Sequence, residues 1–404
     1  MQQILKGLRI VEGSAFVAAP SGGMTLAQLG ADVIRFDQIG GGIDYHRWPV
    51  TENGKSLYWH SLNKGKRSIA VNFRSREGRE LIQSLITASG DDSGLFVTNF
   101  PAKGWLADEL LRNRRSDLIY VNLTGDRHGG SAVDYTINSR IGLPYLTGDY
   151  ENPINNPFPV WDVLAGQQIT IALLSAERHR RLSGEGQFVK LALADVAMAA
   201  MGHLGYIAEA ELKQDLRQPM GNHIFGTFGH DFLCKDGCRI MIVGISFKQW
   251  EAIIKVTRTE SETKAMEEDL GLDFAKEADR FRAKEQLREL FAPWFASKYY
   301  SEVKQALDEG EVCWGLYQSI KEFVTSDQDC SEANPLFTRI NQPGIGHYLV
   351  PSQAIQFTGL ETEMPRAAPL LGQHTDEILG EILALDSSQI GKLHDKKVVA
   401  GPTP

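Results

Sequence analysis

One acidic side chain stands out as a possible reagent. Asp162 lies in the stretch Pro157-Phe158-Pro159-Val160-Trp161-Asp162-Val163-Leu164-Ala165-Gly166. A carboxylate among so many apolar neighbours is costly to bury unless something hydrogen-bonds it. Two roles fit it. As a helix N-cap, its oxygen accepts an orphan backbone N–H of the first turn. As an ionised nucleophile, it attacks an activated carbonyl and forms a covalent acyl intermediate. Residue type alone favours the cap. His223 and His230 could move protons, although a lone histidine is more often a satisfied structural group. His223 lies within, and His230 just after, Gly221-Asn222-His223-Ile224-Phe225-Gly226-Thr227-Phe228-Gly229, where glycines allow a hinge, a close approach to a ligand, or an ordinary linker. Lys64-Gly65-Lys66-Arg67 is either a solvated loop or a contact for a phosphorylated ligand. Glu177-Arg178-His179-Arg180-Arg181 ends a helix, where cations suit the negative end of the dipole.

The elements that must position these groups alternate in type. Leu8–Val11 predicts a strand, Ala18–Leu29 a helix stopped by Gly30, and Asp32–Asp37 a second strand. Arg67–Phe73, Leu95–Phe100 and Leu118–Asn122 predict three more strands, with helices over Glu77–Thr87 and Trp105–Arg112 between them. A long helix is expected from Val163 to Leu182, then a strand over Phe188–Leu193 and a helix over Asp195–Glu209. This alternation predicts an α/β fold with a doubly wound parallel sheet. Ligands of such sheets bind outside the carboxyl ends of the strands. The loops beginning at Glu12, Asp37, Arg74, Asn99 and Thr124 should therefore share one edge. After about residue 215 the pattern changes to a hairpin around Asp236-Gly237 and then to helices rich in Glu and Lys. Residues 1–214 and 326–404 are read as a large sheet domain, and 215–325 as a smaller inserted α+β domain. Helices are expected over Thr375–Leu383 and Asp386–Lys392, and the tail from Val398 to Pro404 is expected to be loose.

The chain has 404 residues and a formal net charge of −9, a balance that disfavours nucleic acid as a bulk partner. Cys234, Cys238, Cys313 and Cys330 are too few and too scattered for a disulfide framework, and no clear zinc constellation accompanies them. No apolar run approaches a membrane span, and no signal peptide is evident. A cytoplasmic protein, with no membrane association, is expected. Gly13-Ser14-Ala15-Phe16-Val17-Ala18-Ala19-Pro20 is not the glycine fingerprint of a dinucleotide-binding turn. Neither a P-loop nor a serine nucleophile elbow is present.

Several stretches taken together resemble the class III CoA-transferases. They include Leu5–Glu12, Leu29–Arg35, Ser56-Leu57-Tyr58, Asn63–Ile69, Val97–Phe100, Gly184–Gln187 and, most specifically, Arg366–Glu377. In that register Asp162 falls on the family's acyl-accepting aspartate, which turns the balance from cap to nucleophile. The resemblance implies a coenzyme A thioester as substrate and no permanently bound cofactor or metal. It implies an intertwined homodimer whose large domain is built from both termini. It also implies contacts with the coenzyme, or with the adjoining acyl site, from Val17, Val71, Arg74, Asn99, Phe100, Lys103 and Tyr135. Where several members carry an arginine this chain has Gln38, so the 3′-phosphate must find another cation among Arg35, Lys66 and Lys103. Ala132-Val133-Asp134-Tyr135 lacks the histidine of the racemase subgroup, which removes one of two bases. Glu12–Pro20, Ile39–Gly42, Asp134–Asn138, Pro159–Asp162 and Gly202–Glu209 are similar to members that move coenzyme A between the C1 and C4 carboxyls of mesaconate. The alternatives are transfer between two separate acids, or non-catalytic acyl-CoA binding. The Gly226–Gly229 main chain is expected to offer oxyanion donors.

Overall fold

Apolar β-branched runs buried on both faces make the central strands. The computed structural model describes residues 3–360 and 363–402. Strands β1 (Arg9–Gly13), β2 (Asp32–Asp37), β3 (Arg67–Val71), β4 (Leu95–Thr98), β5 (Ile119–Thr124) and β6 (Phe188–Ala192) are all parallel to their neighbours in one sheet. The order is β12-β3-β2-β1-β4-β5-β6, with β12 (Val399–Ala400) the antiparallel edge. From β1 the chain winds outward through β2 and β3, then crosses back to β4 and winds the other way. The two directions part between β1 and β4, and a crevice opens at such a point.

The doubly wound sheet is as expected, with small shifts at the ends. β3 and β4 stop two residues early, so that Asn72, Phe73, Asn99 and Phe100 become loop. The helix expected over Asp195–Glu209 is two helices, Leu193–His203 and Tyr206–Leu212, broken at Gly205 in the left-handed conformation. The tail expected to be loose is not loose over its described part. Val399 pairs with Val71, both Val398 and Val399 are buried, and Thr375 Oγ1 donates to the Ala400 carbonyl at 2.7 Å. Residues 403 and 404 lie outside the described residues. The Arg366–Glu377 stretch closes this edge: Gly372 N donates to Ser68 Oγ at 3.0 Å, and His374 Nδ1 accepts from Ser68 N at 3.1 Å. Gly372 has φ +72°, and a Cβ there would lie 2.7 Å from the Ala400 carbonyl oxygen, so only glycine fits.

The chain falls into two compact units. One holds the stretch up to Ile141, Asn156–Gln214 and the stretch from Gln328. It contains the large sheet and a hairpin of β10 (Phe337–Gln342) and β11 (Gly346–Pro351). The other holds Gly142–Asn155 and Asp215–Asp327. It has an antiparallel sheet of β7 (Phe228–Leu233), β8 (Arg239–Gly244) and β9 (Cys313–Leu316) packed on helices through Phe228, Trp250, Leu287, Phe291 and Phe295. Gly142–Asn155 thus belongs to the smaller unit, although the pattern of the chain assigned it to the large one. The reason is local. Its main chain is tied to the start of the small unit, as in the 3.2 Å bond from Met220 N to the Leu146 carbonyl.

Candidate active site

The carboxyl ends of β1 to β4 open onto a cavity of about 460 Å³. Ser14 and Ala15 follow β1, Gln38 follows β2, Phe73 and Arg74 follow β3, and Phe100, Pro101 and Lys103 follow β4. Four of the five loops expected to share an edge therefore meet there; the loop after β5 contributes no lining residue. One wall is apolar, with Phe73 and Trp105 stacked at 5.9 Å and Phe100 beside them. Arg74 and Lys103 are exposed, and neither forms an ion pair among the described residues. A ligand with a flat apolar part and an anionic part suits this lining.

Asp162 sits in the first turn of the Val160–Ser183 helix. Pro157 and Pro159 lead into that turn, and proline is pre-set for a helix start. The cap is not Asp162. Asp134 accepts from Trp161 N at 2.6 Å and from Asp162 N at 3.1 Å, through one oxygen. Trp161 Nε1 donates to Asn138 at 3.1 Å and holds the Asp134–Arg140 helix in place. The carboxylate of Asp162 has no hydrogen bond among the described residues. Burial and the nearby charge of Asp134 push its pKa up to about 7, and Arg47 works against them. The Asp134 carboxyl is itself raised by burial.

Small residues bring this helix to the site. A Cβ on Gly166 would lie 2.1 Å from Ser21 Oγ, and one on Gly22 would lie 2.8 Å from the Gly166 carbonyl oxygen. The Ala18–Gln28 helix therefore packs with its backbone close to that of the Val160–Ser183 helix. Phe16, just before it, is non-glycine with φ 67°, a strained conformation that must be held. Its N–H donates to Asp44 at 3.0 Å. Arg35 in turn grips Asp44 at 3.2 Å and Asp37 at 2.9 Å. Lys66 binds Glu12 at 2.8 Å, Asn63 at 2.9 Å and the Pro20 carbonyl at 2.9 Å.

This buried network corrects the sequence reading of the cations. Arg35 and Lys66 are almost fully enclosed and fully occupied, so neither is available to a phosphate. Burial, the larger effect, pulls the Lys66 ammonium down to about 8. Lys64 is buried against the Ser61 carbonyl, and Arg67 is shared by Asp32 at 2.6 Å, Glu377 at 2.8 Å and Glu381 at 2.9 Å. Of the three proposed cations, only Lys103 faces the cavity. Arg74 and Phe100 also line it. Asn99 shapes it by clasping the Ala15 main chain at 3.0 and 2.8 Å. The side chains of Val17 and Val71 are buried and do not line it. Tyr135 is exposed, and its hydroxyl donates to the Pro157 carbonyl at 3.1 Å.

Asp162 is not among the cavity-lining residues. A chain of neighbours joins the two: Ala15 on the cavity wall, then Phe16, whose ring lies 5.4 Å from the Arg47 guanidinium, then Arg47, which acts electrostatically on Asp162. The Tyr58 ring lies 5.3 Å from the Arg47 guanidinium, and its hydroxyl is pushed up to about 12, chiefly by burial. Asp44, Arg47 and the capping role of Asp134 escaped the sequence reading. Asp134-Tyr135 was noticed only as a family-like stretch, and a cap supplied from a distant segment has no spacing signature.

In the smaller unit, Gly229 is not in a loop but pairs with Val243 in the β7–β8 ladder. Within the 221–229 stretch the left-handed glycines are Gly221 and Gly226. His223 binds Glu285 at 2.9 Å and its ring lies 4.2 Å from that of His230, so both histidines have structural partners. Among the described residues no cluster of His, Cys, Asp and Glu is arranged for a metal, and no helix is long and apolar enough to cross a membrane.

Residues 5–375 match CoA-transferase family III. The 2-methylfumaryl-CoA isomerase of Chloroflexus aurantiacus is 52% identical over 100% of this chain and 99% of its own length. The succinyl-CoA:mesaconate CoA-transferase of Haloarcula hispanica is 28% identical over 93% of this chain and 96% of its own. Among solved structures, a CAIB/BAIF family protein from Brucella suis superposes with a TM-score of 0.75 at 25% identity, covering 94% of this chain and 100% of that one.

Proposed function

The chain belongs to CoA-transferase family III, and we propose that it moves coenzyme A from the C1 to the C4 carboxyl of mesaconate, with Asp162 as the covalent carrier. Its enzyme class is coenzyme A transfer or isomerisation. The observation that supports the finer reading is a half-buried, hydrogen-bond-free carboxylate that its own helix does not need as a cap.

Ionised Asp162 attacks the C1 thioester carbonyl; the C–S bond breaks and coenzyme A leaves as thiolate. The product is a mixed anhydride. For coenzyme A to reach C4, the diacid must turn, and the acyl energy must be kept meanwhile. Attack of the thiolate on the Asp162 side of the anhydride does both: it forms an aspartyl thioester and frees the C1 carboxylate. The C4 carboxylate then attacks the aspartyl thioester, expels the thiolate and gives a second anhydride. Thiolate attack at C4 completes transfer and restores Asp162. Every step is an acyl substitution with no net proton change. Water must be kept out, because an anhydride hydrolyses readily. The anionic part of coenzyme A meets Arg74 and Lys103 in this reading. An intertwined homodimer belongs to it as well, and requires a solution molar mass twice that of the chain.

Protein incubated with mesaconyl-CoA, quenched with hydroxylamine and analysed by mass spectrometry should carry its adduct on the Asp162 peptide. An adduct mapped elsewhere, or turnover by Asp162→Ala near the wild-type rate, removes Asp162 from the reaction. Labelled free mesaconate entering the product ester stoichiometrically favours transfer between two acids instead.

A further inference from the structure

We infer that Arg47 holds the free carboxylate of a dicarboxylic acyl group while Asp162 works on the other carboxyl. This rests on the proposed function and names the acyl class that the same site selects. The guanidinium carbon lies 5.4 Å from the centre of the Phe16 ring and 5.3 Å from that of Tyr58. Cation–π contacts of this kind hold the group without consuming its hydrogen bonds to oxygen acceptors. Among the described residues Arg47 has no ion pair and no side-chain hydrogen bond, unlike the enclosed Arg35. A lysine would roam on its stem; this fork is clamped, with a geometry that matches a carboxylate through two parallel bonds.

Its supports are built for position. Phe16 keeps a strained backbone because Asp44 takes its N–H, and Asp44 is fixed by Arg35. Tyr58 follows the Ser56 cap of the Leu57–Leu62 helix, and the hydroxyl of Ser56 also donates to the Arg47 carbonyl at 2.5 Å. Arg47 acts electrostatically on Asp162, and Asp162 on Tyr58, so the ring-held guanidinium and the carboxylate are within electrostatic reach of each other. A diacid brings a second negative charge to a carboxylate that Asp134 already opposes, and a clamped cation offsets that repulsion. The proposed route contains one stage at which the diacid is held by no covalent bond, after the aspartyl thioester forms. An arginine that keeps hold of it through that stage makes the transfer intramolecular.

The test uses the full chain with coenzyme A present, and titrates free mesaconate (a dicarboxylate) and crotonate (a monocarboxylate of the same length) calorimetrically. Wild type should bind mesaconate more tightly than crotonate. Arg47→Gln should weaken mesaconate by about 10- to 100-fold, the range for losing charge-assisted hydrogen bonds, and leave crotonate within about threefold. Arg47→Lys, which keeps the charge but loses the planar fork, should fall between. In turnover with mesaconyl-CoA, Arg47→Gln should release free mesaconate and incorporate labelled mesaconate where wild type does not. Equal weakening of both acids, or normal isomerisation without leakage by Arg47→Gln, overturns the inference and leaves the proposed function standing. If wild type does not isomerise mesaconyl-CoA, yet Arg47 still separates succinate from butyrate in the same titration, the proposed function fails and the inference stands.

Discussion

Replacing Asp162 with Asn should abolish turnover and make the protein more stable, and the gain should depend on pH in a specified way. The carboxyl titrates near its ordinary 3.8 when unfolded and near about 7 when folded, because burial first and Asp134 second disfavour its charge. Between those values the folded state keeps a proton that the unfolded state has lost. Stability therefore falls as pH rises through that window, and levels off above it. A rise from 3.8 to about 7 is roughly a thousandfold in proton affinity, so the ceiling on the penalty is about 4 kcal/mol. Part of the side chain still reaches solvent, which brings the expected effect below that ceiling. Asparagine is nearly isosteric and uncharged, and the helix keeps its cap because Asp134 supplies it. With about 1 °C per kcal/mol for a chain of this length, Asp162→Asn should melt up to about 4 °C above wild type near pH 8, with the difference shrinking towards zero near pH 4. Calorimetric or fluorescence melts across that range decide it. An unchanged or lower midpoint near pH 8, or a gain that ignores pH, refutes the argument that the fold holds the Asp162 carboxylate against an electrostatic cost.

Other expectations follow from the same geometry. kcat/KM for the thioester should rise with pH to a plateau above about 7, because the attacking form is ionised. Asp134→Asn, which still caps the helix but loses its charge, should move that limb to lower pH; an unmoved limb would show that Asp134 does not act on Asp162. Lys103→Ala and Arg74→Ala should each raise KM for coenzyme A esters, by about threefold to tenfold, with kcat largely kept. Lys66→Ala should instead destabilise the fold by about 3–5 kcal/mol, since it strands Glu12 in the interior. A Lys66 variant with normal denaturant resistance and a raised KM would reverse the assignment of the cations.

The expectations that failed are those in which a residue type was judged without its neighbours. Lys64, Lys66 and Arg67, basic and adjacent, fit either a solvated loop or a phosphate contact, and they form neither. Their spacing does not reveal that Glu12 arrives from far along the chain to occupy Lys66, that Asp32, Glu377 and Glu381 occupy Arg67, or that Lys64 is spent on the Ser61 carbonyl. The tail at Val398–Ala400 looked loose because two strand residues are too short a run to signal pairing. Gly229 looked like loop because glycine is depleted from strands, yet Ile224 covers the face where its side chain would stand.

The residues by themselves determined the sheet, its direction and the edge at which the cavity opens. Those properties depend on local periodicity and on the alternation of strand and helix, which survive in any linear reading. They also singled out Asp162, since a lone carboxylate in an apolar run is conspicuous, and a family likeness gave it a role. Only the tertiary structure decided whether that carboxylate is free. The cap comes from Asp134, the opposing cation from Arg47, and the support of Phe16 from Arg35 through Asp44. Hydrogen bonding and charge act over a few ångströms, between segments whose separation along the chain carries no trace of their contact.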